Sequence, residues 1–258
     1  MRKMLGIDAS KHNGVIDWKK VAATDVDFAI IRAGYGYTYV DPRFKYNIEN
    51  AIANGIKVGV YWFVYALSVE EAIKNADKFH SVIAPYAKNI TMKVWCDFEY
   101  DSDNYANKNG IAFSKESRTA IVKAFCERLK DLGYDVGVYA NRDYLRYKFE
   151  DLSEYPLWYA LYNSTKDREC LMWQHTSKGK VDGITGNVDM NYLYTDEIEY
   201  YNSPEFTLVE SLKKISVDSS FKHRAKIAKA NNIQNYTGSA EQNLLMLQLL
   251  NEGKLIVA

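Results

Sequence analysis

The sequence predicts an α/β chain in which a closed, mostly parallel barrel with a shortened second half precedes a small all-helical C-terminal domain. Three observations predict it. Short apolar runs alternate with helical patterns, as in a parallel sheet covered by helices. Five such runs carry a helical connection and the last three follow with little helix between them. Eight strands then fit in about 195 residues, somewhat under the ~250 of a regular barrel. Finally, strand-like runs stop near Asn202-Ser203-Pro204, and the rest reads as helix. An open doubly wound sheet is the structural competitor, but no Gly-rich phosphate loop is present.

The elements follow in order. Residues 4–7, 28–31, 58–64, 92–98, 136–139, 157–159 and 171–173 read as buried strands, with 188–193 a weaker last one. Pro42 opens a helix that ends at Asn54-Gly55. Ser68 and Glu71 form a capping box for a helix to about Ala84. A third helix runs from Ser114 to Leu132 and stops at Gly133. In the tail, residues 208–215, 221–230 and 240–250 read as helices, with turns at Asn231-Asn232 and Tyr236-Thr237-Gly238. The expected division is a barrel over 1–200, a linker over 201–206 and a helical domain over 207–258.

Bulk properties narrow the function. The 258 residues carry equal numbers of acidic and basic groups, so the total charge implies no nucleic acid partner. Residues from 206 on carry a net charge of +3, leaving −3 on the rest. The 21 tyrosines and 5 tryptophans suit either an aromatic core or a carbohydrate surface. Cys96, Cys126 and Cys170 give neither a disulfide framework nor metal-ligand spacing and read as reduced thiols. The four histidines, His12, His80, His175 and His223, are too scattered for a zinc site, and Ser10 lacks a Ser/His/Asp setting. No metal and no cofactor is expected. No window is long enough to insert in a membrane, and the apolar start is too short for a signal peptide.

The chemistry gathers where strands end in acids. In Val94-Trp95-Cys96-Asp97-Phe98-Glu99 an apolar run closes on two carboxylates. Alternation puts Asp97 and Glu99 on one face, and Cys96 and Phe98 on the other. Two carboxylates at the active mouth of a barrel cannot both ionise freely, so one stays protonated at neutral pH. Glycoside hydrolysis needs one proton donor and one charged partner. Asp8 ends the first strand and Asp189 lies on the last. Closure makes those strands neighbours and sets both acids across the mouth from the first pair. Arg32, on the inward face with Ile30, is expected to pair with Asp8.

These segments resemble glycoside hydrolase family 25. The resemblance rests on Gly6-Ile7-Asp8-Ala9-Ser10, residues 27–36, Val58-Gly59-Val60-Tyr61-Trp62-Phe63, Asp97-Phe98-Glu99, Leu157-Trp158-Tyr159-Ala160 and residues 173–191, in the family's order. It implies an irregular (β/α)5(β)3, TIM-like barrel and an N-acetylmuramoyl hydrolase of endolysin type, cleaving the β-1,4 bond from N-acetylmuramic acid to N-acetylglucosamine in bacterial peptidoglycan. It further implies Glu99 as general acid and Asp97 as its charged partner. Asp8 and Asp189 would shape the cleft, and Tyr61 would point its hydroxyl at the substrate. Trp62 stands where many relatives carry histidine. Tyr35, Tyr139 and Trp158 sit at strand ends and are expected to line the sugar groove, with core packing as the alternative. Attack by the substrate's own acetamido oxygen is favoured, with direct water attack as the competing route. A silent wall-binding protein and a glycosidase of chitin-like chains are the rival functions. The tail resembles short C-terminal modules of lysins. It is expected to bind the wall, or else to pack on the barrel or self-associate. Synthesis in a host cytoplasm without a signal peptide, and action after holin-type or lysis-dependent release, complete the expectation.

Overall fold

The computed structural model describes residues 2–195, 200–201 and 207–258. The first 195 residues carry strands β1 (Arg2–Ala9), β2 (Phe28–Tyr35), β3 (Tyr39–Val40), β4 (Lys57–Phe63), β5 (Val94–Asp97), β6 (Val136–Asn141), β7 (Leu157–Ala160), β8 (Met172–Gly179) and β9 (Val188–Thr195). Between them lie helices α1 (Trp18–Ala22), α2 (Phe44–Ala53), α3 (Val69–Ile83), α4 (Tyr100–Lys108) and α5 (Lys115–Asp131). The sheet order is β1-β9-β8-β7-β6-β5-β4-β2, and β1 also pairs with β2, which closes it into a barrel. The short β3 hangs on β2 as an antiparallel extra. β9 runs antiparallel to β8, whereas β1, β2 and β4 to β8 pair parallel. β6 is followed only by a π-helical turn at Tyr144–Lys148. Phe149, Leu152 and Tyr155 are buried after it in the layer outside the barrel, where a fifth helical connection was expected.

Side-chain alternation splits the core in two. Ile7, Ala29, Ile31, Val58, Val60, Cys96 and Val138 face outward and pack under the helices. Met4, Phe28, Ile30, Trp95, Trp158 and Met172 face inward and fill the barrel. Glycine makes room for those rings. A Cβ on Gly6 would lie 2.3 Å from the Phe28 ring, and one on Gly137 2.3 Å from Trp95. The helix starts follow the expected chemistry only in part: α2 begins at Phe44, two residues after Pro42, without a side-chain cap, and at α3 Glu71 reaches back to Leu67 and not to Ser68, so the expected capping box is half formed. Ser68 Oγ accepts from Glu71 N at 3.3 Å, and the Glu71 carboxylate accepts from Leu67 N at 2.8 Å. Ser114 caps α5, and Gly133 follows its end at φ 88°. α4 was not foreseen, because its polar sequence shows no apolar stripe.

The second unit comprises Asp196–Ala258 together with Met1–Arg2. Helices α6 (Leu208–Lys214), α7 (Phe221–Ala230) and α8 (Ala240–Asn251) enclose their own core of Leu208, Leu212, Ile227, Met246 and Leu250. The expectation of an all-helical unit needs correction. Strands β10 (Tyr200–Tyr201) and β11 (Leu255–Ile256) form a small antiparallel pair. Two-residue strands leave no periodic signal in a sequence. The predicted linker 201–206 lies, apart from Tyr201, outside the described residues. Among the described residues no helix is long and apolar enough to cross a membrane.

Candidate active site

The inward positions of the barrel change character toward the C-terminal strand ends. Below are Phe28, Trp95 and Trp158; above them the inward residues are Asp8, Arg32, Tyr61, Asp97, Tyr139 and Gln174. Because β9 runs antiparallel, its start lies at this same mouth. Gln174 pairs with Asn191 in register and Gly179 with Val188, which delivers Asp189 to the cleft.

β5 ends at Asp97, and Glu99 occupies the position before the first turn of α4. Glu99 keeps an extended backbone (φ −132°, ψ −168°), so alternation carries one step past the strand. Phe98 is fully buried with Cys96 on the outer face, and the Asp97 and Glu99 carboxyls hydrogen-bond each other. Glu99 N also donates to Ser102 Oγ at 3.2 Å. Burial raises both acids, Asp97 well above the ordinary carboxylate range. Glu99 is pushed up to about 7, by burial first and by the nearby Asp101 and Asp189. The pair therefore retains a proton into neutral pH. No N–H or hydroxyl donor reaches Asp97 Oδ1, so that oxygen depends on the shared proton or on an incoming donor.

Across the mouth, Asp8 and Asp189 form a second hydrogen-bonded carboxyl pair. Asp8 is buried, and burial followed by the Asp189 charge pushes it up to about 8. Two amides hold it in place: Gln174 Nε2 and Asn191 Nδ2 each donate to Asp8 Oδ2 at 2.8 Å. Asp189 is half-buried and open to the cleft. Tyr61 lies among these acids. Burial and the charges of Asp8, Asp97 and Asp189 raise its phenol well above the usual range, while Arg32 opposes them.

Arg32 does not pair with Asp8. Its Nε donates to Asp41 Oδ2 at 2.8 Å, and Nη2 meets the same oxygen at 2.7 Å without hydrogen-bond alignment. The β2–β3 turn returns Asp41 to the strand only nine residues later, while Asp8 is already engaged by Gln174, Asn191 and Asp189. Trp158 lies under the site and does not line its wall. It is 2% exposed, donates Nε1 to Asn191 Oδ1 at 2.8 Å, and meets Tyr61, Trp95 and Tyr139 edge to face. Tyr139 is buried too, but its hydroxyl reaches Gln174 Oε1 at 3.0 Å, within the field of Glu99 and Asp97. Tyr35 stands at the rim, stacked on Tyr39 at 4.0 Å and tilted against Tyr65. Trp62 turns away from the cleft. It stacks on Phe79 of α3 and donates to Gly36 O at 3.1 Å, so it packs the helix layer.

Four residues of the site carried no expected role: Gln174, Asn191, Tyr65 and Tyr162. Tyr162 is 57% exposed and donates to Gln174 Oε1 at 3.1 Å, above Asp8, Asp189 and Glu99. Inward parity was the missed signal. Gln174 shares a face with Met172, and Asn191 shares one with Asp189. Among the described residues, no group of three or more His, Cys, Asp or Glu is placed to hold a metal ion.

Comparison with known proteins agrees with this architecture. The model of the glycosyl hydrolases family 25 matches residues 7–184. An autolytic lysozyme of Clostridium acetobutylicum is 25% identical over 192 residues, which make up 73% of this chain and 55% of that protein. Lysozyme M1 of Streptomyces globisporus is 27% identical over 197 residues, 72% of this chain and 66% of that protein. The modular autolysin LytC of Streptococcus pneumoniae superposes with a TM-score of 0.67 at 30% identity, over 75% of this chain and 47% of that one. The chain thus spans about half the length of the first of these lysozymes and of LytC. By its barrel, its mouth of paired acids and its match over residues 7–184, the chain belongs to the glycosyl hydrolases family 25.

Proposed function

We propose that the chain is a muramidase: it cleaves the β-1,4 bond from N-acetylmuramic acid to N-acetylglucosamine in peptidoglycan and so lyses Gram-positive walls. The observation that carries this is the Asp97–Glu99 pair. One carboxyl is buried, the other is open to the cleft, and together they hold a proton near neutrality. Glu99, the accessible member, gives its proton to the bridging oxygen as the C1–O bond breaks.

A carboxylate nucleophile needs about 5–5.5 Å between the two acids with a sugar between them, and water-mediated inversion needs about 6.5–9.5 Å. Two carboxyls in hydrogen-bond contact leave room for neither. The acetamido oxygen of the substrate therefore attacks C1, and Asp97 takes the acetamido N–H on its open oxygen. Water then displaces the acetamido oxygen from C1, which restores the amide, and gives its proton to Glu99. Asp8 and Asp189, with Tyr61 beside them, shape and polarise the opposite wall. A second route is water attack with Asp189 as base, favoured by the half-exposure of Asp189 across the mouth.

Two experiments test this. Wild type and Glu99→Gln are compared for release of reducing ends from purified peptidoglycan. The variant should lose turnover and keep binding; an unaffected variant would refute the assignment, and activity on chitin without cell lysis would redirect it. On a defined glycan, NMR should see the β-anomer first, and an initial α-anomer would select the second route.

The C-terminal unit is assigned to wall binding, a role supported by its separate core and its basic balance. The exposed Phe221 and Leu244 are the surface offered for this contact. Full-length Glu99→Gln should sediment with cell walls more completely than the same variant ending at residue 205. Nothing among the described residues supports self-association through this unit.

A further inference from the structure

Between the end of β4 and α4 lies an open groove of about 580 Å3, lined by Tyr65, Asp101, Asn104, Tyr105, Asn107 and Lys108. It begins beside the acid pair: Asp101 acts on Glu99, and Tyr65 stands within the field of both Asp97 and Asp101. From there it follows one face of α4. Positions 101, 104, 105 and 108 recur at helical spacing, and seven residues at 1.5 Å rise separate Asp101 from Lys108 by about 10 Å. Tyr65 and Tyr105 stack at 5.2 Å and 14° and form a flat side wall. The chemistry along the groove is graded, with an acid at the near end, amides in the middle and a cation at the far end. Among the described residues Asp101 accepts only a long 3.3 Å side-chain bond from Asn104, and Lys108 makes no ion pair.

A bare glycan offers hydroxyls and acetamido groups. It gives a groove no reason to present a separated acid and base. Charges of both signs enter the polymer with its peptides, which bring free amines and carboxylates. An extended peptide advances about 3.3–3.6 Å per residue, so about 10 Å spans three residues. We propose that this groove takes the peptide stem of the wall polymer, with amines toward Asp101 and carboxylates toward Lys108, so that peptide-bearing glycan is turned over in preference to bare glycan. The inference rests on the muramidase reading and adds a determinant of substrate choice outside the acid pair.

The full-length enzyme is assayed on soluble uncross-linked peptidoglycan strands and on the same strands stripped of peptides by an amidase. Wild type should show the higher kcat/KM on the peptide-bearing strands. Lys108→Glu should lower that value about two- to fivefold, the scale of one exposed charge pair, and leave the bare-strand value unchanged. Lys108→Arg should retain the wild-type preference. Equal turnover of both strands by wild type, or a Lys108→Glu effect that is absent or equal on both, overturns the groove assignment while leaving the muramidase reading intact. No hydrolysis of either strand overturns both.

Discussion

Asp8→Asn should make this protein more stable, and increasingly so as pH rises. In the folded chain Asp8 releases its proton near 8, against 3.8 for an ordinary aspartate. Between those values the folded state holds a proton that the unfolded state has lost. Unfolding is therefore favoured more strongly with each pH step above about 4, and the penalty is complete by about 8. Each pKa unit is about 1.4 kcal/mol, so the penalty reaches at most about 4 kcal/mol at pH 7. Asparagine avoids it without changing shape. Its carbonyl accepts from Gln174 and Asn191 as Asp8 Oδ2 does, and its amide donates to Asp189 as the shared proton does. From pH 5 to pH 7 the variant should gain about 2–3 kcal/mol relative to wild type, or about 4–10 °C in Tm. Thermal melts of both proteins at pH 5, 6 and 7 and constant ionic strength measure it. A Tm difference that does not grow with pH would refute the linkage, and one of opposite slope would mean that Asp8 is ionised in the fold. The variant should at the same time lose activity, since it removes an ionisable carboxyl that the cleft retains against the interest of stability.

Glu99 leads to a second pH dependence: as its proton leaves near 7, kcat/KM should hold in mild acid and fall about tenfold per unit above that point, and a profile flat to pH 9 would exclude Glu99 as the acid. Glu99→Gln should cost about 10²–10⁴ in kcat, read as reducing ends. Asp41→Ala strands the guanidinium of Arg32 beneath the mouth and should destabilise the fold by about 3–5 kcal/mol, whereas Asp41→Asn should cost less; equal melts for Asp41→Ala and wild type would show that the pair is not buried in solution. Gln174→Leu removes a donor to Asp8 and the acceptor of Tyr139 and Tyr162, so stability should drop by about 1–3 kcal/mol and kcat should fall with it.

The barrel was legible because its inward and outward sets alternate over runs of apolar residues, which pure pattern reading detects. The four acids were legible because they interrupt such runs at the ends. What escaped depends on partners distant in sequence or on polar local signals. Arg32 gave no sign of choosing Asp41 over Asp8, since that choice depends on a two-residue strand, β3. Trp158 and Trp62 look alike in sequence, yet one forms the floor of the cleft and the other a helix contact, as strand parity decides. Gln174 and Asn191 were missed although their parity places them inward, because neutral amides are ordinary residues until a buried carboxyl needs them. α4 escaped because its exposed face carries Asp101, Asn104 and Lys108, the residues that now line the groove.

Barrel closure by β9 has a consequence for when activity can arise. Asp8 is made before all of its hydrogen-bonding partners, since Gln174, Asp189 and Asn191 lie more than 160 residues later. Those contacts cannot form in a nascent chain until residue 191 has left the ribosome, and a product truncated before that point has an open barrel and half a cleft. The site is thus among the last features of the barrel to assemble, and its appearance reports closure of the barrel.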